Sequence, residues 1–569
     1  MHTYLMTQDI SSSSPAAPPK GAGDDTGLDP RRWLAFAVVL VAGFVDLVDS
    51  TIVNVALPSV QGDLHANYAQ LEWVVAAYVL SFAALLILSG RLGDIYGRKR
   101  VFMVGMAGFT AASLLCGLAV SPEMLIAARF AQGAAAGLMV TQILAILRVT
   151  FPEHERAKAV ALFGGVTGSS AVFGLALGGV IVQWDLFGWE WRTIFLINVP
   201  IGIAALVAGA TFVHESRSPS RPRLDIVGMV LALAAVVALV YPLTEGRRLG
   251  WPGWTFAMVA GAVVLLVAFV AFERRRQAVR GSALIDFGVF RSRPFSVGMA
   301  MWWLFWVASG GFFFAWTLFL QAGLGWSPMH AGLTAATLAV GVGIGAGNAP
   351  NKLVPKFGRN VLVAGGLVNA VGWLSFAWLA WHYGPNLTSW ALIPVHVLSG
   401  IGFGLIVAPT LDMLLGQVPG EQAGNASGLL NTIQQIGIAL GVALIGVILF
   451  TQLDRGSDRG VDAATPGLRS DLATLGLSSQ AQDAAVASFG TCVRDRASAL
   501  DQSAVPASCA AASPDPSAAG AFDRAVARAN AENYSYAFSW VLILGGATLV
   551  IAGAGFLALP KHPRTVSPL

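Results

Sequence analysis

Charge is what this sequence has least of. Asp, Glu, Lys and Arg make up 12% of its 569 residues, about half the share in a typical soluble domain. With 55% hydrophobic residues and a mean hydropathy of +0.67, the chain has too little polar surface to cover a globule in water, which excludes an ordinary soluble enzyme. Cysteine is scarcer still, with only Cys116, Cys492 and Cys509, and no His/Cys spacing suits a metal-ligand set. Neither a phosphate-cradling glycine loop ending in Lys-Ser/Thr nor a nucleophile–base pattern is present, so ATP-driven work and membrane-bound catalysis are not expected. The net charge of +4 and pI near 9.0 look basic, but the basic residues sit in short loops. That pattern reports membrane orientation rather than a nucleic-acid partner.

What the chain has in quantity is charge-poor apolar runs long enough to cross a hydrocarbon layer about 30 Å thick. Fourteen fall near 33–57, 69–91, 101–120, 122–148, 157–183, 191–213, 225–243, 254–272, 295–320, 328–350, 361–383, 389–415, 423–451 and 535–559. The fold class is therefore an all-α polytopic membrane protein with both termini on one side. Residues 1–30, rich in Ser, Pro and Gly, read as a disordered tail. The run after Arg31 and Arg32 is too long for a cleavable signal, so the first helix is expected to stay. The tails and alternate loops hold 24 Lys and Arg, against Arg192, Arg247 and Arg248 in the short loops opposite. The positive-inside rule then puts both termini in the cytoplasm. The long 452–534 loop falls outside, where Cys492 and Cys509, 17 apart, are a disulfide candidate; two unpaired thiols are the alternative.

Two loops are related. GRLGDIYGRKR at 90–100 and NKLVPKFGRNV at 351–361 align on Gly97-Arg98 and Gly358-Arg359, 261 residues apart. Internal symmetry of this kind marks a transporter of two halves with the cargo site between them.

The stretch FVDLVDSTIVNVALP at 44–58 places Asp46 and Asp49 inside the first run, on one helical face with Ser50 and Asn54. A carboxylate at the bilayer centre costs on the order of 2.5–3.5 kcal/mol on insertion scales, so a partner is expected. Counted from the outer ends of their runs, Asp49 lies roughly 12 Å deep and Arg129 roughly 10 Å deep at the helical rise. Burial and a like charge favour the protonated acid, whereas a close arginine favours the ionised one. If access alternates, that balance changes between states, and the pair loads a proton on one side and releases it on the other. The plainer reading is a static ion pair that fixes packing.

These residues resemble a known family. GRLGDIYGRKR is similar to the loop signature of the major facilitator superfamily, and LIAARFAQGAAAG at 125–137 to its fourth-helix motif with a buried arginine. LVDSTIVNVALP at 47–58 and WRTIFLINVPIG at 191–202 resemble the fourteen-span drug–proton antiporter branch, the QacA/EmrB-like exporters. The resemblance implies two six-helix bundles at 31–213 and 295–559, two inserted helices at 225–272, and cytoplasmic tails at 1–30 and 560–569. It implies proton coupling through Asp49, Asp46 and Arg129, and a cytoplasmic gate latch of Asp94 and Arg98 with Gly90 and Gly97. One departure stands in the fifth helix. The stretch GLALGG at 174–179 keeps Gly174, Gly178 and Gly179 but has Leu175 where the antiporter motif has proline.

Cargo residues are sought among aromatic and amide side chains. Trp302, Trp306, Phe313 and Trp316 run through the middle of the ninth span, where aromatic faces suit planar or cationic compounds. Asn431, Gln434 and Gln435 fall at mid-depth in the thirteenth. Lipid-facing packing is the alternative for any one of them. His330, His382 and His396 read as structural. The expectation is a monomeric, multi-pass exporter of small lipophilic or cationic drugs or antibiotics in the cytoplasmic membrane, with no metal and no cofactor, driven by a proton gradient. The rivals are export of one endogenous metabolite, uptake or uniport, and a receptor that uses the 452–534 loop.

Overall fold

The computed structural model describes residues 30–185, 188–217, 225–280, 287–416, 423–498, 506–512 and 518–561, and every statement below concerns these. The expected tails lie almost wholly outside them, as does the side chain of Leu175. The long helices are α1 (Arg32–Leu64), α2 (Tyr68–Tyr96), α3 (Arg98–Gly117), α4 (Pro122–Thr150), α5 (Glu153–Trp184), α6 (Asn198–Phe212), α7 (Ile226–Glu245) and α8 (Gly253–Arg280). After them come α9 (Arg293–Gly310), α10 (Pro328–Asn348), α11 (Asn360–Tyr383), α12 (Ser389–Leu415), α13 (Ala423–Thr474), α14 (Ser479–Ser498) and α15 (Ala519–Gly555). Thirteen segments are long and apolar enough to cross a membrane. The remaining expected span coincides with α5, a 32-residue helix.

Local chemistry sets several helix starts. Asn67 and Gln70 form a reciprocal capping box at α2, while Ser121 and Ser327 each cap a helix whose first residue is proline, Pro122 in α4 and Pro328 in α10. Caps of this kind fix the register of the side chains that follow.

Within the first half α2 and α3 pack on α4, and α1 packs on α5 and α6. In the second half α10 and α11 pack on α12, and α9 and α13 pack with α15. Helix α7 lies against α2 and α13, and α8 lies on α7. Helix α8 turns Phe256, Val263, Val264 and Val267 outward, as a lipid-facing helix must.

The halves meet at the end of the bundle remote from the termini. Gln321, in a π turn that extends the ninth span, donates to Val55 O at 2.9 Å. Tyr68 and Tyr534 share a hydroxyl hydrogen bond of 2.8 Å, and the Tyr68 ring stacks 3.8 Å from that of Phe450. Gly179 of α5 lies directly against the backbone of Pro328 and Met329, where a Cβ would stand 2.9 Å from Met329 Cα. This end is closed.

Two element bounds differ from the sequence reading. The thirteenth and fourteenth spans were expected to end at 451 and begin at 535, but α13 runs on to Thr474 and α15 begins at Ala519. The added turns carry their own core. Val461, Ala464, Leu468 and Leu472 pack with Phe489, Cys492 and Val493 of α14 and with Phe522 and Ala525 of α15. The loop is thus largely a helical outcrop, and Cys492 is disulfide-bonded to Cys509. Its helical period was hidden because alanine supplies most of the apolar positions.

Candidate functional site

Asp49 sits in the middle of α1, and Arg129 lies seven residues into α4 beyond its proline start. Arg129 Nη1 donates to Asp49 Oδ2 at 2.6 Å, and each residue is 1% exposed. Two neutral amides complete the carboxylate: Gln132 Nε2 donates to Asp49 Oδ1 at 2.9 Å and Asn198 Nδ2 at 2.8 Å. Arg129 also donates to Gln132 Oε1 at 2.8 Å and through Nε to Val74 O at 3.2 Å. Gln132 in turn donates to Ser113 Oγ at 2.8 Å. Both carboxylate oxygens and the Nε and Nη1 groups of the guanidinium are thereby bonded from α2, α4 and the start of α6, which is what makes a buried ion pair tolerable.

Asp46 stands apart from this ring. One turn before Asp49, it accepts a hydrogen bond of 2.6 Å from the Tyr78 hydroxyl and is buried. The Tyr78 ring lies under Arg129, with the guanidinium carbon 4.1 Å from its centroid, a cation–π contact strengthened by the absence of water. Two carboxylates therefore share one cation, and Tyr78 connects them. Such a set carries an odd charge and can take up one proton without leaving any ion unpaired.

The residues expected at the gate lie close together. Arg98 Nη2 meets Asp94 Oδ1 at 3.2 Å, four residues apart across the turn between α2 and α3. Gly97 makes that turn at φ 111°, in the region that only glycine enters freely. The start of α3 is covered by Glu215, not by Asp94. Its carboxylate accepts from Lys99 N at 3.1 Å and Arg100 N at 3.2 Å, the favoured place for an anion on a helix. Gly90 has ordinary space around it, with Thr141 Cγ2 3.7 Å from where a Cβ would be. The crowded position is Gly93, where a Cβ would fall onto the side chain of Gln142.

The aromatic candidates divide. Trp302 and Trp316 are each 1% exposed and belong to the packed interior of the second half. Trp302 donates Nε1 to Leu430 O at 3.2 Å, and Trp316 lies beside His396 with ring centroids 6.2 Å apart. Their ring size and helical face turn them onto α12 and α13, a direction that composition does not reveal. Trp306, Phe313, Asn431, Gln434 and Gln435 are half-buried and keep surface for a ligand.

His396 was passed over in sequence but has an equivalent. LIAARFAQGAAAGL at 125–138 and LIPVHVLSGIGFGL at 392–405 match at Leu, Ile, Gly133 with Gly400, and the final Gly-Leu, with His396 267 residues after Arg129. Ser399 then stands for Gln132, and it donates to Asn369 Oδ1 of α11 at 2.7 Å, as Gln132 reaches Ser113 of α3. Asp49 corresponds to Gly310 at the loop repeat's offset of 261 and to Trp316 at the offset of 267, and neither is acidic. The second half thus holds a copy of the arginine site without its acid, with Phe376 and Trp316 around the imidazole.

Gly174 and Gly178 of α5 face Thr51 and Ile52 of α1, a turn beyond Asp49, where a Cβ on Gly178 would stand 2.7 Å from Ile52 Cγ1. Side chains there would push α5 off the helix that carries both aspartates.

Comparison with known proteins agrees with this architecture. Residues 39–442 match the family model of the Major Facilitator Superfamily. The chain is 39% identical over 98% of its length, and 98% of the relative's, to a "probable actinorhodin transporter" of Streptomyces coelicolor. It is 34% identical over 78% of its length, and 80% of the relative's, to the tetracenomycin C resistance and export protein of Streptomyces glaucescens. It is 34% identical over 74% of its length, and 82% of the relative's, to a puromycin resistance protein of Streptomyces alboniger. Among solved structures, an auto-inhibited peptide transporter of the POT family superposes with a TM-score of 0.60 at 15% identity, covering 94% of this chain and 98% of that one, which speaks for the fold alone. With thirteen candidate membrane spans among the described residues, two related halves and a family match across most of its length, the chain belongs to the major facilitator superfamily of membrane transporters.

Proposed function

We propose that this protein exports lipophilic, aromatic or cationic antibiotics and drugs from the cytoplasm in exchange for protons, by alternating access, with both termini cytoplasmic. The observation that carries the reading is the buried Asp49–Arg129 pair with Asp46 one turn away, linked through Tyr78. One proton on this set neutralises its surplus negative charge. Moving that proton down a potential of 100 mV supplies about 2.3 kcal/mol, which corresponds to a cargo gradient of roughly fiftyfold. Arg129 serves as relay, Asp94 and Arg98 as the latch on the termini side, and the half-buried Trp306, Phe313, Asn431, Gln434 and Gln435 as cargo contacts. The relatives' names, each given for antibiotic transport or resistance, support the cargo class.

A second reading, export of a single compound, is favoured by the same names, because two of them specify one antibiotic as cargo. The test is efflux from proteoliposomes under an imposed pH gradient, with a fluorescent lipophilic cation and an aromatic polyketide as probes. Gradient-driven movement of both probes supports the broad reading, and movement of the polyketide alone supports the narrow one. Equal movement with and without the gradient overturns proton coupling.

A further inference from the structure

A second buried acid lies at the closed end, on the same helix as Tyr78. Helices α2, α7 and α13 border a cleft lined among others by Tyr68, Glu72, Thr244, Arg247, Gly446 and Phe450. Glu72 is 3% exposed, and its Oε2 has no hydrogen-bond partner, nor has the buried Thr244 Oγ1 in the same cleft. Its other oxygen occupies the space a Cβ on residue 446 would fill, so Gly446 is what admits the acid against α13.

The charges around it are otherwise engaged. Glu245 accepts from Arg248 Nε at 2.6 Å. Arg247 lines the cleft but holds its guanidinium 5.4 Å over the Phe450 ring. Tyr68, on the same helix, is bonded to Tyr534 of α15. Asp454 follows Phe450 by one turn of α13 and brings a further negative charge. Among the described residues, no cation stands at ion-pair distance from Glu72. A carboxylate shut here would be a desolvated, unpaired ion.

We propose that Glu72 is a proton-binding site of the remote gate. The carboxylate takes a proton from the adjoining water when α2 and α13 are apart, and the neutral acid then closes against Gly446 and Phe450. Opening returns the group to water, where the proton leaves. This rests on the alternating-access reading but adds a site distinct from Asp46 and Asp49. Glu72 is six residues before Tyr78, roughly 9 Å nearer the remote end at the helical rise. Because α2 also supplies Val74 O to Arg129, a proton that fixes Glu72 fixes one wall of the central site.

The test uses the full-length protein in nanodiscs with Cys116→Ser and spin labels at Gly62→Cys and Trp390→Cys, both exposed at the remote end. The distance distribution between the labels is read from pH 5 to 9 without cargo. In the wild type the closed-to-open ratio should fall with rising pH, by up to about tenfold per pH unit as one proton demands. Glu72→Gln should hold the closed distance throughout, and Gly446→Ala should deplete it at every pH. A wild-type pH response in Glu72→Gln overturns the proposal. So does a distribution in the wild type that answers a lipophilic cation but not pH. Since no transport is measured, this result is separate from that of the efflux assay.

Discussion

At the scale of single residues, the central site is a problem of charge parity. Arg129 can satisfy one carboxylate, and Asp49 holds it with Gln132 and Asn198 in support. Replacing Asp49 by Asn keeps the shape but removes the titratable group and puts an NH2 donor where one oxygen accepted. Proteoliposomes carrying Asp49→Asn should show cargo binding near the wild-type level and lose most of their gradient-driven efflux, because the coupling proton has no carboxylate to bind there. Unchanged efflux would make Asp49 structural. Arg129→Ala should act differently, because it leaves a buried carboxylate without its cation. A loss of about 3–5 kcal/mol is expected for breaking such a pair, readable as a lowered thermal transition in detergent, and Arg129→Lys should recover part of it. The sequence revealed Asp49 and Arg129 through the rarity of charge in apolar runs and through their matched depth. Gln132, Asn198 and Tyr78 left no such trace, since a neutral polar residue is unremarkable in a helix until its partner is known. That Trp302 and Trp316 turn into the packed interior was hidden for the related reason that ring size says nothing about direction.

At the scale of the helix, close approach decides function. Gly133 of α4 lies against the backbone of Tyr78, and Gly174 and Gly178 let α5 touch α1 beside the aspartates. A methyl at Gly133 has no room, so Gly133→Ala should shift α4 from α2. The cost is about 1–3 kcal/mol by analogy with overpacked cores, and the shift would also displace Tyr78 from Asp46. Gly179 touches α10 of the other half, so Gly179→Val should prevent closure of the remote end while leaving each half folded. Accessibility of an engineered thiol at Thr51 to a membrane-impermeant reagent should rise severalfold, and an unchanged rate would show that α5 and α10 do not set the gate. The fifth-helix glycines were visible in sequence, but which neighbour each one faces was not. The same holds for the Arg129–His396 correspondence, which the repeated Leu-Ile and Gly-x-x-x-Gly spacing could have disclosed.

At the scale of the whole molecule, the places of the membrane helices were legible because the bilayer imposes a length on every span. The outcrop was not, since α13 and α15 leave the apolar layer without breaking and continue as a small alanine-rich core. For this transporter, replacing residues 475–518 by a short linker should leave most of the flux intact. If it acts through a bound partner, that deletion should abolish function while the membrane helices still assemble, as judged by size-exclusion chromatography.

The 52-residue α13 has a mechanical consequence. It is roughly 78 Å long at the helical rise, and the part beyond Thr451 spans about 34 Å. Its inner section forms the α2 contact at the gate, so a tilt of about 10° there would swing the far tip by about 6 Å. The outcrop is then a pointer fixed to the moving wall, displaying outside the membrane the position of a gate buried within it. A dye pair or a binding protein placed on that tip could report each transport cycle from the aqueous side.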